Sequence, residues 1–135
     1  MTLEEYRIKH SMLIEKYQRI EFDLEGLYAA LSYDSFSEAL QEIEKDSIGG
    51  VVREIKRIED QQRIVVFTEK EYEELDEIRE RRNFWSHKCY VEPWDKTGTP
   101  RNAKELSADL QKADMVSEWL YQITRTYMHK RLDRT

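Results

Sequence analysis

Residues 69–90 read EKEYEELDEIRERRNFWSHKCY, and their spacing indicates both a helix and a candidate site. Apolar residues at steps of three and four predict an amphipathic helix over about residues 69–91, ending before Pro93. Burying a guanidinium is unfavourable without a partner, so Arg82 on the apolar stripe requires a carboxylate, a carbonyl or a ligand phosphate. Except for Arg82 the stripe is apolar, and it consists of Tyr72, Leu75, Ile78, Arg82, Trp85 and Cys89.

The neighbouring stripe of this helix is polar. Arg79, Asn83 and His87 follow at intervals of four residues and therefore share a face. Arg82 lies about 100° round the helix from Asn83, within reach of a long side chain. A cation, an amide and an imidazole are thus expected to converge near the end of the helix. The helix dipole also favours cations at this end, which is a purely structural reason for Lys88 and His87.

The spacing Arg82-Asn83-x-x-x-His87 resembles the R-N-x-x-x-H signature of the HEPN superfamily. HEPN proteins are small and helical, often dimeric, and many are metal-independent ribonucleases or toxins of toxin–antitoxin pairs. The resemblance implies that Arg82 and His87 are a catalytic pair, followed by the usual polar residue at Asn83, with an antitoxin as a candidate partner. Toxins silenced by a nucleotidyltransferase carry a tyrosine two residues after the histidine. Cys89 stands there and Tyr90 follows, which argues against such silencing.

Composition predicts one helical domain over residues 1–135. Charged residues make up 37% of the chain and hydrophobic residues 39%, with four glycines and two prolines, as suits a bundle with solvated outer faces. The sequence has no apolar run long enough for a membrane span, and its acidic start is unlike a signal peptide. We therefore expect a soluble, cytoplasmic protein that contacts no membrane.

The net charge of -6 argues against a general nucleic-acid binder, which usually presents a basic face. The charge is nevertheless uneven, because cations gather around the motif. This pattern predicts a local basic cleft on an acidic protein, especially if two chains contribute to it. The cations concerned are Arg79, Arg81, Arg82, Lys88, Lys96 and Arg101.

A capping box at Thr2 and Glu5 opens a first helix predicted over residues 3–32. Its apolar seam has one polar member, His10, for which we favour a histidine satisfied by a neighbouring acceptor over a second imidazole reaching the site. The seam consists of Leu3, Tyr6, His10, Leu13, Tyr17, Ile20, Leu24, Leu27 and Leu31.

Shorter helical segments follow, capped at Ser35 and Ser47. Gly49 and Gly50 fall in a first turn, where a close helix crossing or a flexible start is favoured over an anion cradle because no phosphate-loop lysine follows. Residues 64–67 are apolar but would lack a partner strand, so we predict a connector packed on the bundle. A further capping box joins Thr68 to Glu71, with Phe67 and Tyr72 as a hydrophobic staple.

Residues 92–101 are the longest loop signal, and Trp94 within it could stack on a base, although pinning the loop to the bundle is the commoner role. Asn102 caps the predicted last helix. Met115 and Trp119 widen its apolar face, and together with Phe84 they predict a homodimer surface. The whole pattern predicts an all-α, up-and-down bundle of four to five helices.

Metal-independent RNA cleavage needs a proton donor or acceptor and a cation beside the phosphoryl oxygens. His87 would be the acid or base, Arg82 the bidentate phosphate clamp and Asn83 an orienting donor. A single imidazole leaves one proton transfer unassigned, which a twofold axis near the motif would supply. No metal or cofactor is expected. Candidate substrate-binding residues are Arg79, Lys88, Tyr90 and Trp94.

The alternative is a non-catalytic helical interaction module. In that case the buried Arg82 would be neutralised by a carboxylate on a neighbouring helix. The acidic net charge and the shifted tyrosine favour this interpretation. Exposure of Arg82 and His87 in one cleft would favour catalysis, whereas an Arg82 enclosed with a carboxylate would favour the module.

Overall fold

A computed structural model describes residues 1–87 and 102–133, and within these ranges the chain is an all-α bundle without strands. This architecture confirms the all-α prediction. The last predicted turn of the motif helix, residues 88–91, lies outside the described residues. The five helices are α1 (Leu3–Leu31), α2 (Phe36–Ile43), α3 (Ile48–Gln62), α4 (Glu69–His87) and α5 (Ala103–Asp133).

Helix α1 is the centre of the bundle, because it contacts all four other helices and runs along α5. Its predicted seam forms the core of the bundle. Burying each apolar side chain of the seam contributes about 1.5–3 kcal/mol to the stability of the fold. On α5 the matching buried residues are Leu106, Ala113, Val116 and Leu120. On α1 the buried members of the seam are Tyr6, Leu13, Tyr17, Ile20, Leu24, Leu27 and Leu31.

The helix starts agree with the capping signals in the sequence. At α1 the Thr2 hydroxyl accepts from the Glu5 amide, and the Glu5 carboxylate accepts from the Thr2 amide. Thr68 and Glu71 make the same reciprocal pair at α4. Ser35 and Ser47 each accept an amide hydrogen bond at the starts of α2 and α3. These caps satisfy amides that lack an intrahelical acceptor.

The connector between α3 and α4 is organised by a buried carboxylate. Arg63 ends α3 in the left-handed conformation with φ 54°. Glu59 Oε2 then accepts from the amides of Val66 (2.7 Å) and Phe67 (3.1 Å), and its other oxygen accepts from the Tyr72 hydroxyl. Val66 and Phe67 are themselves buried. The prediction of a packed connector over residues 64–67 is therefore confirmed.

The carboxyl end of α1 is held by Arg131 from α5. Its Nη1 donates to the carbonyl oxygens of Ala29 (3.0 Å) and Ser32 (2.6 Å), and its Nη2 donates to that of Asp34 (2.6 Å). Gln62 Nε2 also donates to the Leu31 carbonyl at 3.0 Å. Carbonyls at a helix end lack intrahelical donors, so these side chains take the place of a C-cap glycine.

Two of the three residues predicted for a homodimer surface are partly buried by contacts within the chain. Trp119 packs edge-on against Phe67 and donates from Nε1 to Glu74 Oε2 at 3.1 Å. Phe84 is half-buried against the ring of Trp85, with centroids 4.9 Å apart. Met115 alone of the three is exposed, at 44%. The homodimer surface stays a prediction, with Met115 as its exposed member and Phe84 and Trp119 only partly exposed.

Candidate functional site

A cleft of about 380 Å³ lies between the start of α3 and the outer face of α4, and it contains the described part of the motif. The residues from α4 recur at helical spacing, as the two-stripe pattern predicts. The cleft is lined by Ser47, Ile48, Gly49, Val52 and Arg53 from α3 and its cap, and by Leu75, Asp76, Arg79, Arg82 and Asn83 from α4.

Arg82 lies at the border between the buried seam of α4 and this cleft. Its seam neighbours Ile78 and Trp85 are buried, whereas 36% of the Arg82 side chain is exposed. The Arg82 Nε pairs with Glu21 Oε1 on α1, and the Glu21 side chain is 27% exposed. The partner that the sequence required is thus a carboxylate. Arg82 is anchored on one side and open to the cleft on the other.

Asn83 and Arg79 share the cleft with Arg82, as their four-residue spacing predicts. Asn83 is exposed. Arg79 donates from Nε to Asp76 Oδ1 at 3.0 Å, and its Nη2 lies 3.6 Å from Glu80 Oε1. These are i,i+3 and neighbouring contacts on a helix surface, which solvent weakens. The guanidinium of Arg79 is therefore available to exchange an exposed carboxylate for a ligand anion.

Arg81 is turned toward α5 and does not line the cleft. Its Nε donates to Asp109 Oδ2 at 2.7 Å, and its Nη2 donates to Glu105 Oε2 at 2.8 Å. The buried Trp85 donates from Nε1 to the same Asp109 oxygen at 2.7 Å. Burial lowers the pKa of Arg81, but the hydrogen bonds to Asp109 and Glu105 outweigh it and raise the pKa above its ordinary value. Including Arg81 in the basic cleft was wrong.

His10 is satisfied by a backbone carbonyl of the motif helix. Its Nε2 donates to the Trp85 oxygen at 3.0 Å, which requires the proton to sit on Nε2. The ring also stacks against Tyr6, with centroids 6.5 Å apart. The expectation of a neighbouring acceptor is confirmed. His10 thereby ties the start of α1 to the last turns of α4.

The remaining predicted site residues lie outside what the structure describes. The backbone of His87 ends α4, but its side chain is outside the description. The predicted roles of His87 and of these other residues stay predictions. The described part of the motif is Arg82 and Asn83. The other residues named for the site or its basic surroundings that lie outside the described ranges are Lys88, Cys89, Tyr90, Trp94, Lys96 and Arg101.

Sequence reasoning missed the contribution of α3 to the cleft. A Cβ added to Gly49 would lie only 2.9 Å from Arg79 Cδ, so the Arg79 side chain of α4 packs against the first turn of α3. The same contact brings Ser47 and Arg53 beside the motif. The glycine pair was the available signal, but it did not reveal which helix would pack there.

Among residues 1–87 and 102–133, no group of three or more metal-ligating side chains lies together. None of the described helices is long and apolar enough to cross a membrane. No family model, curated protein or solved structure matches the chain.

Proposed function

We propose that the cleft between α3 and α4 is the site of a metal-independent endoribonuclease of the HEPN type, with Arg82 as its phosphate clamp. The observation that carries the proposal is the state of Arg82, which is held by Glu21 yet 36% exposed in a cleft shared with Asn83. A fixed guanidinium loses little conformational freedom when it meets a phosphate, so the ion pair serves to orient it.

The proposed chemistry assigns one task to each motif residue. The ribose 2′-hydroxyl attacks the adjacent phosphorus and the 5′-oxygen leaves, so one proton is removed and one is supplied. His87 exchanges one of these protons, while Arg82 stabilises charge on the phosphoryl oxygens. Asn83, exposed beside Arg82, donates to the phosphate or to the imidazole. The second proton transfer is assigned to the same residues of a partner copy across a twofold axis.

A second candidate, the non-catalytic interaction module, is favoured by the pairing of the motif cations. Arg79, Arg81 and Arg82 each contact at least one carboxylate of their own chain. If these pairs serve only to join helices, Arg82 contributes to stability alone. The two functions therefore differ in whether loss of Arg82 affects catalysis beyond its effect on folding.

The test is cleavage of a mixed RNA pool by purified protein in excess chelator. Arg82→Ala and His87→Ala are compared with Arg57→Ala and His129→Ala, which replace exposed residues of the same types on other helices. We expect the first two variants to lose at least about 100-fold in rate, as removal of an acid, a base or a charge-stabilising donor does. The controls should cleave like wild type, with matched circular dichroism. If the wild-type protein cleaves no RNA, the ribonuclease proposal fails and the interaction module becomes the favoured function.

A further inference from the structure

Two arginine side chains converge on one backbone position of the cleft, Gly49 in the first turn of α3. A Cβ added to Gly49 would lie 2.9 Å from Arg79 Cδ and 3.9 Å from Arg79 Nε. The same point is 3.8 Å from Arg53 Nη1. Both guanidiniums therefore lie close to the surface that Gly49 leaves uncovered. A larger side chain at this position would fill that space.

The backbone at this point is the amino-terminal end of a 15-residue helix. Ser47 is the N-cap, and its hydroxyl accepts from the Gly50 amide at 3.4 Å. The amides of Ile48 and Gly49 belong to the first turn, where N–H groups lack intrahelical acceptors. Ser47, Ile48 and Gly49 all line the cleft. The positive end of the α3 dipole thus adds to the arginines.

Arginines outnumber carboxylates on the lining of the cleft, although the protein is acidic overall and Glu21 and Glu80 pair with two of these arginines. Three arginines line it (Arg53, Arg79 and Arg82) against one carboxylate, Asp76. Within the part of the chain that the structure describes, Arg53 makes no ion pair, whereas Arg79 shares Asp76 and Glu80. An anion placed over Gly49 would complete the coordination of Arg53 and displace the exposed contacts of Arg79.

We propose that Gly49, Arg53 and Arg79 form a second phosphate subsite, beside the phosphate that Arg82 holds. This proposal rests on the proposed ribonuclease function. A second phosphate subsite would make the enzyme prefer a chain with consecutive phosphodiesters to a mononucleotide. Arg53 and Arg79 bind the non-bridging oxygens, and the first amides of α3 donate to the same group. Glycine at position 49 leaves room for the Arg79 side chain, which would have to shift to admit a Cβ there.

The test is binding of a fluorescently labelled RNA oligonucleotide, measured by anisotropy over a range of salt concentrations in chelator. All proteins carry His87→Ala so that the RNA is not cleaved. Arg53→Gln is compared with Arg57→Gln, which removes a cation one turn later on α3 that is 66% exposed and pairs with Glu54. Arg53→Gln should weaken binding about tenfold, as loss of a charge-assisted phosphate contact implies. The slope of log K against log salt should fall by about 0.7.

The outcomes separate the subsite from the catalytic proposal. Equal affinities and equal salt slopes for Arg53→Gln and Arg57→Gln would overturn the subsite, even if the wild type cleaves RNA. Absence of RNA binding by the parent protein would overturn it as well. If the wild type does not cleave RNA but binding depends on Arg53 and not on Arg57, the subsite is supported and the ribonuclease proposal fails.

Discussion

Arg81 and Arg82 are adjacent in sequence, yet their side chains are held by different helices. Successive residues point about 100° apart on a helix, so one guanidinium turns toward α5 and the other toward α1. Arg81 joins Asp109 and Glu105, while Arg82 joins Glu21 and borders the cleft. Arg81 therefore joins α4 to α5, and Arg82 is the residue of the pair that lines the cleft.

Replacing Asp109 tests the structural role of the Arg81 cluster. Asp109→Ala removes the acceptor of both the buried Trp85 indole and the Arg81 Nε. Leaving such donors unsatisfied costs about 1–3 kcal/mol, so the free energy of unfolding should fall by that amount in urea titration. The matched control is Asp114→Ala, whose carboxylate is 55% exposed and pairs with Lys16. A loss as large in the control would contradict the assignment.

Asp23 makes stability depend on pH in an unusual direction. Its side chain is buried, and Oδ2 has no hydrogen-bond partner among the described residues. Burial raises the pKa of Asp23 above its ordinary value of 3.8, and the charge of Arg19 offsets part of the rise. Because the folded-state pKa is the higher one, the wild type loses stability as pH rises through it.

Asp23→Asn should therefore be more stable than wild type at pH 7, because the amide avoids the cost of burying or protonating the carboxylate. The difference should shrink as the pH falls toward the ordinary value of 3.8, because the wild-type carboxyl then becomes protonated. Thermal unfolding across this pH range measures it, with the exposed Asp60→Asn as the control. A variant less stable at pH 7, or a difference independent of pH, would contradict the prediction.

At the residue scale, the sequence predicts that a polar side chain on an apolar stripe has an acceptor, but it does not predict which residue supplies that acceptor. Arg82 on an apolar stripe and His10 on an apolar seam both required acceptors, and each has one. That the acceptors are Glu21 and the Trp85 carbonyl depends on how α1 is rotated against α4, which periodicity within one helix cannot give.

The helices themselves follow closely from local signals. Capping residues at Thr2 and Thr68 give the starts of α1 and α4, because amides at a helix start need acceptors nearby in sequence. The contact of the Arg79 side chain of α4 with Gly49 of α3 was only partly predictable. A glycine indicates close approach, but the facing residue, Arg79, is 30 positions away along the chain, and only the folded bundle brings it there.

At the element scale, Arg131 joins the carboxyl end of α1 to α5. Arg131→Ala should lower the free energy of unfolding by about 1.5–3 kcal/mol, the range for hydrogen bonds to charged groups. Hydrogen exchange should increase first around residues 29–36, since the carbonyls of Ala29, Ser32 and Asp34 lose their donor. Lys130→Ala is the control, because its ammonium lies over the Tyr127 ring of the same helix, 4.9 Å from the ring centroid. Equal exchange in both variants would contradict this role.

At the scale of the whole molecule, the proposed mechanism requires two chains. Arg82→Ala and His87→Ala proteins, mixed after each is shown to be inactive, should recover part of the RNA cleavage that neither has alone. Mixed dimers keep one arginine for charge stabilisation and one histidine for one of the two proton transfers, so the recovered rate should stay below that of wild type. Equilibrium sedimentation should show twice the 16.4 kDa chain mass. A stable monomer that cleaves RNA would contradict the shared site.

The most direct measurement exchanges the charges of the Glu21–Arg82 pair. Glu21→Arg combined with Arg82→Glu keeps an ion pair between α1 and α4 but removes the cation from the motif position. Unfolding and RNA cleavage are then compared with wild type and with Arg82→Glu alone. We predict that the double variant regains most of the stability lost in the single variant and cleaves at least about 100-fold more slowly than wild type. Wild-type cleavage by the double variant would contradict the role of Arg82 as a phosphate clamp.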